Sequence, residues 1–226
     1  MCGRFSQHYT WQEVRDYYDL IPSSPASNME PRYNIGPQST AAIIRPSAIG
    51  LKLEPAMFWL VPANWKKPLR EMKFSTFNAK SETLIDKKTF APAWKLGQRA
   101  IVPVSGFYEW PRPKQKGAAP FFITNPGALM LSLAAIWTEW KDPEDKKSRL
   151  TFSLLTTEPN GVMSAIPHHR SPVVIDEASR DLWLHGEIEE AAGLLRTPDD
   201  ALMEATRVSP YVNNIANQGP DCVVSA

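Results

Sequence analysis

The residues with the least ordinary chemistry open the chain: Met1-Cys2-Gly3-Arg4-Phe5. Cysteine is small enough for the preceding initiator methionine to be removed routinely, which would make Cys2 the amino terminus. That residue would then carry an α-amine and a thiol a few bonds apart. An α-amine titrates near ~7.7–8.0 and a thiol near ~8.5, so both are partly nucleophilic at neutral pH. A 1,2-aminothiol condenses through its amine with an aldehyde to give an imine, and its sulfur then closes on the imine carbon as a stable thiazolidine. The competing reading is an incidental cysteine in a frayed chain end.

Other groups could supply the proton transfers such chemistry needs. Glu109 stands in Gly106-Phe107-Tyr108-Glu109-Trp110. Buried against aromatics, its carboxyl would be pushed up towards neutrality; on the outer face of an edge strand it would be a solvated charge. Period-two alternation puts Phe107 and Glu109 on one face and Tyr108 and Trp110 on the other, and leaves both readings open. His168 and His169 lie in Pro167-His168-His169-Arg170-Ser171-Pro172, a loop where an imidazole could do acid–base work or cap the surface. Asn78 could orient a substrate hydroxyl or carbonyl without adding charge, or cap the segment it precedes. Trp65 sits beside Lys66 and Lys67, the pairing that base stacking with phosphate contact requires, yet a core anchor reads the same. Arg4, Arg32, Arg70, Lys73, Lys80 and Arg170 neighbour these segments, and such a set is more often a solvated face.

These groups must be held by a scaffold of short elements. Thr10-Trp11-Gln12-Glu13 is a capping box, and Trp11, Val14 and Tyr18 share a helical face, which predicts a helix over 10–20. A Pro/Ser/Asn-rich loop over 21–31 and a turn at 32–37 lead to strands near 41–45 and 51–59, then a proline-bounded loop over 61–68. Residues 77–83 lead into helical territory ending near Gly97, with 89–96 its better part. Strands follow at 99–104, 106–110, 120–124, 128–137 and 150–157, with turns at 111–118 and 141–149. Short helices are expected at 160–166, from Asp176 to about Leu184, and at 188–195, and a last strand at 205–208. Strands outnumber helices and are joined by hairpin-length turns. We expect an α+β fold over residues 1–226 as one domain, a curved or barrel-like, mainly antiparallel sheet flanked by helices.

Composition removes several classes. The 226 residues are 43% hydrophobic and 22% charged, enough for a buried core and unlike a disordered chain. A formal net charge of +1 excludes a bulk electrostatic nucleic-acid binder, so any DNA site would be a local patch. Cys2 and Cys222 make no disulfide framework, CxxC pair or zinc spacing, and no metal or cofactor is expected. No basic segment precedes an apolar run at the start, and the longest apolar run, 128–137, is too short for a bilayer; a cytoplasmic protein without membrane contact is expected.

Six blocks in order give more than any one of them. Met1-Cys2-Gly3-Arg4-Phe5, Arg32-Tyr33-Asn34, Asn78-Ala79-Lys80-Ser81-Glu82-Thr83, Gly106-Phe107-Tyr108-Glu109-Trp110, His168-His169-Arg170-Ser171-Pro172, and Val208-Ser209 with Asn214-Ile215-Ala216-Asn217-Gln218-Gly219 span almost the whole chain. Together they resemble the SOS-response-associated peptidase (SRAP) family. The resemblance implies a compact α+β fold around a curved antiparallel sheet. It also implies a protein that senses abasic sites in single-stranded DNA and cross-links to them through an amino-terminal cysteine; a monomer is expected. By motif, Cys2 becomes the nucleophile, Asn78 the substrate-orienting amide, Glu109 the acid–base carboxylate and His168 the imidazole. His168 is preferred to His169 because the family pattern places its histidine two residues before the arginine. Arg4, Trp65, Lys80, Thr156 and Arg170 fall where the family contacts DNA. Lys80 stands where the family often has arginine, replacing a bidentate fork by a point charge; Pro167 stands where an aliphatic residue is common. "Peptidase" fits removal of Met1, self-catalysed or not, and an imine left open would permit lyase-type strand scission.

Two other functions use the same residues. One is an amino-terminal-nucleophile thiol hydrolase, with the α-amine of Cys2 as base. The other is a non-enzymatic single-strand binding module in which Cys2 is incidental.

Overall fold

A computed structural model describes residues 2–21, 30–113 and 117–226 of the protein. In chain order the strands are β1 (Phe5–Gln7), β2 (Arg32–Ile35), β3 (Thr40–Ser47), β4 (Gly50–Phe58), β5 (Asn78–Lys80), β6 (Arg99–Val104), β7 (Gly106–Glu109), β8 (Phe121–Thr124), β9 (Leu131–Lys141), β10 (Ser148–Thr157), β11 (Ser171–Pro172) and β12 (Glu204–Arg207). The helices are α1 (Trp11–Tyr18), α2 (Ala91–Lys95), α3 (Gly161–Ala165), α4 (Arg180–His185) and α5 (Ile188–Ala192), with single 3-10 turns between them.

Strands β10, β4, β3, β6 and β9 pair in that order, and β9 pairs back onto β10, closing a five-stranded barrel. All its pairings are antiparallel except β4 with β10. A second sheet, β12-β8-β7-β1-β2, packs against it. The fold is thus α+β and sheet-dominated, as expected.

Alternation along the strands explains the closure. Ala41 and Ile43, Ala56 and Phe58, Val102 and Val104, Leu133 and Ala135, and Phe152 and Leu154 recur at period two and form one buried cluster. Phe58 is its centre, meeting Phe5 edge-on at 5.2 Å, Phe152 in a stack at 5.1 Å and Phe77 edge-on at 5.6 Å. Each fully buried ring contributes about 1.5–3 kcal/mol. The intervening residues Ile44, Ile101, Ala134, Ile136 and Leu155 face outwards and are covered by Val14 and Tyr18 of α1, Trp94 of α2 and Trp183 of α4. Strand β6 is buried on both faces, so after Arg99 its sequence reads as an unbroken apolar run.

The capping box forms as its sequence requires: Thr10 accepts from Glu13 N–H, and the helix stops at Tyr18, with Asp19 left-handed. Strands β6 and β10, helix α3 and the hairpin between β9 and β10 lie close to their expected places. Elsewhere the expectations need correction. Residues 32–35 form a strand rather than a turn, because β1 offers them an open edge, with Phe5 opposite Ile35. The three-residue β1 carries no alternation of its own, and residues 78–80 form a parallel strand on β10 before the chain turns into a 3-10 helix at Ser81–Thr83. Both cases are tertiary pairings overriding local preference. Asp176 caps a 3-10 turn before α4 instead of capping the helix itself. Residues 22–29 of the expected 21–31 loop, and 114–116 of the expected 111–118 turn, lie outside the described residues.

The carboxyl-terminal segment anchors β2, the strand paired with β1. Asn34 Nδ2 lies within hydrogen-bond reach of the carbonyls of Val212, Asn214 and Asn217, at 3.2, 2.9 and 3.0 Å, and Oδ1 accepts from Arg4 at 2.7 Å. Gln218 Oε1 accepts from the N–H groups of Tyr33 and Asn34. Because Asn34 is buried, truncation strands several polar partners at once. Asn34→Ala is expected to cost about 2–3 kcal/mol, lowering the melting temperature by roughly 4–10 °C in a thermal melt; a change within experimental error would rule this anchoring out.

Candidate active site

Four separated segments meet around Cys2. The first is the amino-terminal segment itself. Tyr108 N–H donates to the Arg4 carbonyl at 2.8 Å and Phe5 stands opposite Phe107, so the antiparallel ladder between β1 and β7 carries the chain back past Glu109. Gly106 begins β7 where a Cβ would lie 2.4 Å from the Phe122 ring, and only glycine lets β7 and β8 approach so closely. Cys2 is 1% exposed and belongs to the barrel cluster. Burial pushes its thiol well up from the ordinary range; the Glu109 carboxylate adds to the rise, and the Arg4 N–H opposes it. Protonated thiol therefore predominates at neutral pH. Iodoacetamide modification of Cys2, followed by peptide mass mapping, is expected to be slow near pH ~7 and to keep accelerating beyond pH ~8.5, where an ordinary thiol levels off. A plateau near ~8.5 would contradict the burial effect.

The second segment is β5. Its register places Asn78 opposite Leu154 of β10, and Asn78 Nδ2 donates to the Cys2 carbonyl at 2.9 Å and to the Phe77 carbonyl at 2.8 Å. Its Oδ1 is buried and accepts no hydrogen bond among the described residues. The third is β7, whose Glu109 is 4% exposed. This removes the solvent-face alternative: β7 is an interior strand of its sheet, between β8 and β1.

The fourth segment is the loop between α3 and β11. His168 is buried there, its N–H bonded to the Met163 carbonyl at 3.0 Å, whereas His169 is exposed. His168 Nε2 lies 3.1 Å from Glu109 Oε2, and its Nδ1 lies 2.9 Å from the Arg170 carbonyl. A carbonyl only accepts, so Nδ1 carries a proton. Two lone pairs cannot face each other at 3.1 Å, so a further proton lies between Nε2 and Oε2. The pair therefore holds a transferable proton, as imidazolium with carboxylate or as imidazole with carboxylic acid.

The other expected site residues are placed less uniformly. Lys80 is exposed on the same face of β5 as Asn78. Trp65 is half-buried, edge-on to Phe74 at 6.0 Å, and its carbonyl accepts from Trp140 Nε1. Arg4 bonds Asn34 and the Val212 carbonyl and lies over the Trp110 ring. Thr156 and Arg170 are buried and turned inwards. Arg170 forms a bidentate pair with Glu82, at 2.7 and 2.9 Å, and donates to the Thr156 carbonyl at 2.6 Å. The support from Asn34, Gln218 and Glu82 was not foreseen, although all three stand in the six sequence blocks. Among the described residues no group of three or more His, Cys, Asp or Glu could hold a metal ion, and no helix is long and apolar enough to cross a membrane.

The family model described as "SOS response associated peptidase (SRAP)" matches residues 1–215. The chain belongs to this family. Among similar proteins, the abasic site processing protein YoqW of Bacillus subtilis (strain 168) is 28% identical over 228 residues, covering 100% of both chains. The abasic site processing protein HMCES of Gallus gallus is 28% identical, over 86% of this chain and 66% of that protein. A crystal structure from Bacteroides thetaiotaomicron superposes with a TM-score of 0.84 at 23% identity over all of both chains, which establishes the likeness of fold. In this SRAP chain the four converging residues are drawn from the blocks that carried the resemblance.

Proposed function

We propose that this chain recognises abasic sites in single-stranded DNA and, once Met1 is removed, joins to them covalently through Cys2. The observation that carries the reading is the convergence of Cys2 with a carboxylate–imidazole pair that holds a transferable proton, beside an amide with an unused acceptor. The names of the curated relatives, abasic site processing proteins, support the substrate class.

An abasic sugar is mostly a closed hemiacetal with a small open-chain aldehyde fraction. His168 gives a proton to the ring oxygen as its bond to C1′ breaks, and the C1′ hydroxyl proton returns through Glu109 to His168, leaving the open-chain aldehyde. The Cys2 α-amine then attacks C1′, forming a C–N bond, while Glu109 takes the proton released by the amine and returns one to the departing hydroxyl, which leaves as water. The thiol adds across the resulting imine: sulfur bonds C1′, its proton ends on nitrogen, and the thiazolidine closes. Asn78 Oδ1 accepts from a hydroxyl of the opened sugar. Aldehyde plus aminothiol equals thiazolidine plus water, so no cofactor or metal is required. Trapping the imine with sulfur removes the route to β-elimination and protects the strand.

Lys80 offers a point charge to phosphate at the rim of the site, and Trp65, beside Lys66 and Lys67, a ring for a neighbouring base. Arg4, Thr156 and Arg170 reach the strand only by exchanging internal partners. The raised Cys2 thiol favours this reading over a thiol hydrolase, in which sulfur must attack first as thiolate. Here the amine attacks first and sulfur enters after the carbon has become electrophilic.

The test is a denaturing gel of the protein with single-stranded DNA bearing one abasic site, read alongside intact mass. The expected result is a heat-stable band whose mass is that of the protein lacking Met1, plus the DNA, less one water. A protein that has lost Met1 and gives no such band sinks the reading.

A further inference from the structure

We propose that Glu82 is a positioning residue of this site, acting through Arg170 on the peptide carbonyl that orients the His168 ring. The activity part of the inference rests on the function proposed above. Arg170 is 6% exposed, and a buried guanidinium needs a compensating charge. Glu82 supplies it with both carboxylate oxygens, in the bidentate geometry that also fixes the plane of the fork. The same fork donates to the carbonyl and hydroxyl of Thr156, at 2.6 and 3.3 Å, tying the residue to β10. Immediately beyond, Ser171 and Pro172 pair with Thr157 and Thr156, so the loop is pinned on its carboxyl-terminal side. Arg170 is therefore held at its side chain and at its following peptide, and its carbonyl is left pointing at His168 Nδ1.

This arrangement matters because the Nδ1 contact dictates where the ring's protons sit. With Nδ1–H committed to the Arg170 carbonyl, Nε2 alone faces Glu109 and exchanges the proton. Without Glu82 the guanidinium would be a buried, uncompensated charge, and it would turn towards solvent and draw its backbone with it. The ring would then be free to take either tautomer. Glu82 itself is exposed over 41% of its side chain, and Arg170 holds its carboxyl below the usual carboxylate range. The titratable or charged groups around the ring are Glu109 from β7, Cys2, whose thiol Glu109 helps to push up, His169 with ring centroids 5.2 Å away, and Arg170 from the same loop, with Arg112 acting on His169.

The experiment compares the full chain with Glu82→Ala and Glu82→Gln. In histidine-labelled free protein, ¹⁵N spectra should give His168 the signature of an Nδ1-protonated ring, and Glu82→Ala should replace it by an averaged signal. In single-turnover cross-linking to abasic single-stranded DNA, Glu82→Ala should lower the saturating rate by about 10–100-fold and shift its pH profile. The half-saturating DNA concentration should not rise, because a negative charge has been lost. Glu82→Gln keeps one acceptor, so it should show smaller changes in the same direction; it carries the test if the alanine variant does not fold. An unchanged His168 spectrum, or an effect confined to half-saturation with the saturating rate intact, overturns the proposal. If the wild-type protein forms no adduct, the proposed function has failed, and the ring spectra of the free protein still decide the role of Glu82.

Discussion

Cys2→Ala is expected to eliminate the heat-stable adduct with abasic single-stranded DNA and to leave a bond that survives only after reduction with cyanoborohydride. The reason lies in the two steps assigned to Cys2. Alanine keeps the α-amine, so imine formation proceeds, but nothing closes on the imine carbon and water reverses it on heating. Borohydride-type reduction converts the imine to an amine and traps it. Adding one residue before Cys2 removes the complementary half: sulfur remains, the Cys2 nitrogen becomes a peptide nitrogen, and the heat-stable adduct disappears because amine and thiol no longer share a residue. Affinity for undamaged DNA should be nearly the same in all three proteins, since no charge at Lys80, Lys66 or Lys67 has changed. A heat-stable band from the extended protein would show that an internal cysteine suffices and would end the aminothiol mechanism. Loss of DNA affinity in Cys2→Ala would instead point to Cys2 acting through packing, in keeping with its place in the barrel cluster.

Glu109→Gln has the second-largest expected effect, and its geometry makes it a clean test. A glutamine amide can donate to His168 Nε2 across the 3.1 Å now spanned by the carboxylate, while Nδ1 keeps its bond to the Arg170 carbonyl. The contact survives, but the transferable proton becomes a fixed N–H. The cross-linking rate at saturating DNA should fall by about 100–10,000-fold, the range that positioned acid–base groups contribute, with little change in melting temperature. Removing the carboxylate also removes one of the causes that raise the Cys2 thiol. Alkylation of Cys2 at a fixed mildly alkaline pH should therefore quicken while cross-linking slows. A variant that cross-links at the wild-type rate would show that Glu109 serves only to hold His168 in place.

Much of this site was legible before folding was considered, for identifiable reasons. Cys2 is conspicuous because its chemistry depends on a position in the chain, next to the initiator methionine, which a sequence states directly. Glu109 and His168 stand in aromatic or proline-bounded blocks whose composition marks a special environment. The capping box at Thr10 and Glu13, the apolar run of β6 and the short helix within 160–166 rest on local interactions, and each formed where local chemistry put it. The choice of His168 over His169 came from a motif, and the fold distinguishes them physically: one ring is buried on Glu109, the other is exposed.

What was not legible is whatever one segment does to another. Strands β1, β2 and β5 are three or four residues long and exist because a neighbour offers a free edge, so neither periodicity nor propensity announces them. Alternation along β7 could not decide whether Glu109 met solvent or protein, because the strand is packed on both faces, Phe107 in the barrel cluster and Tyr108 in a second one. Likewise, a run of basic residues does not say which are spent internally. Arg4 and Arg170 are bound to Asn34 and Glu82 respectively, while Lys80 is left to solvent. The amino-acid sequence by itself determined the reactive groups, the local caps and the family. Only the tertiary structure decided which groups meet and which are buried, because contact and burial depend on atoms a few ångströms apart that the chain separates widely, by 208 residues between Arg4 and the Val212 carbonyl at 3.0 Å.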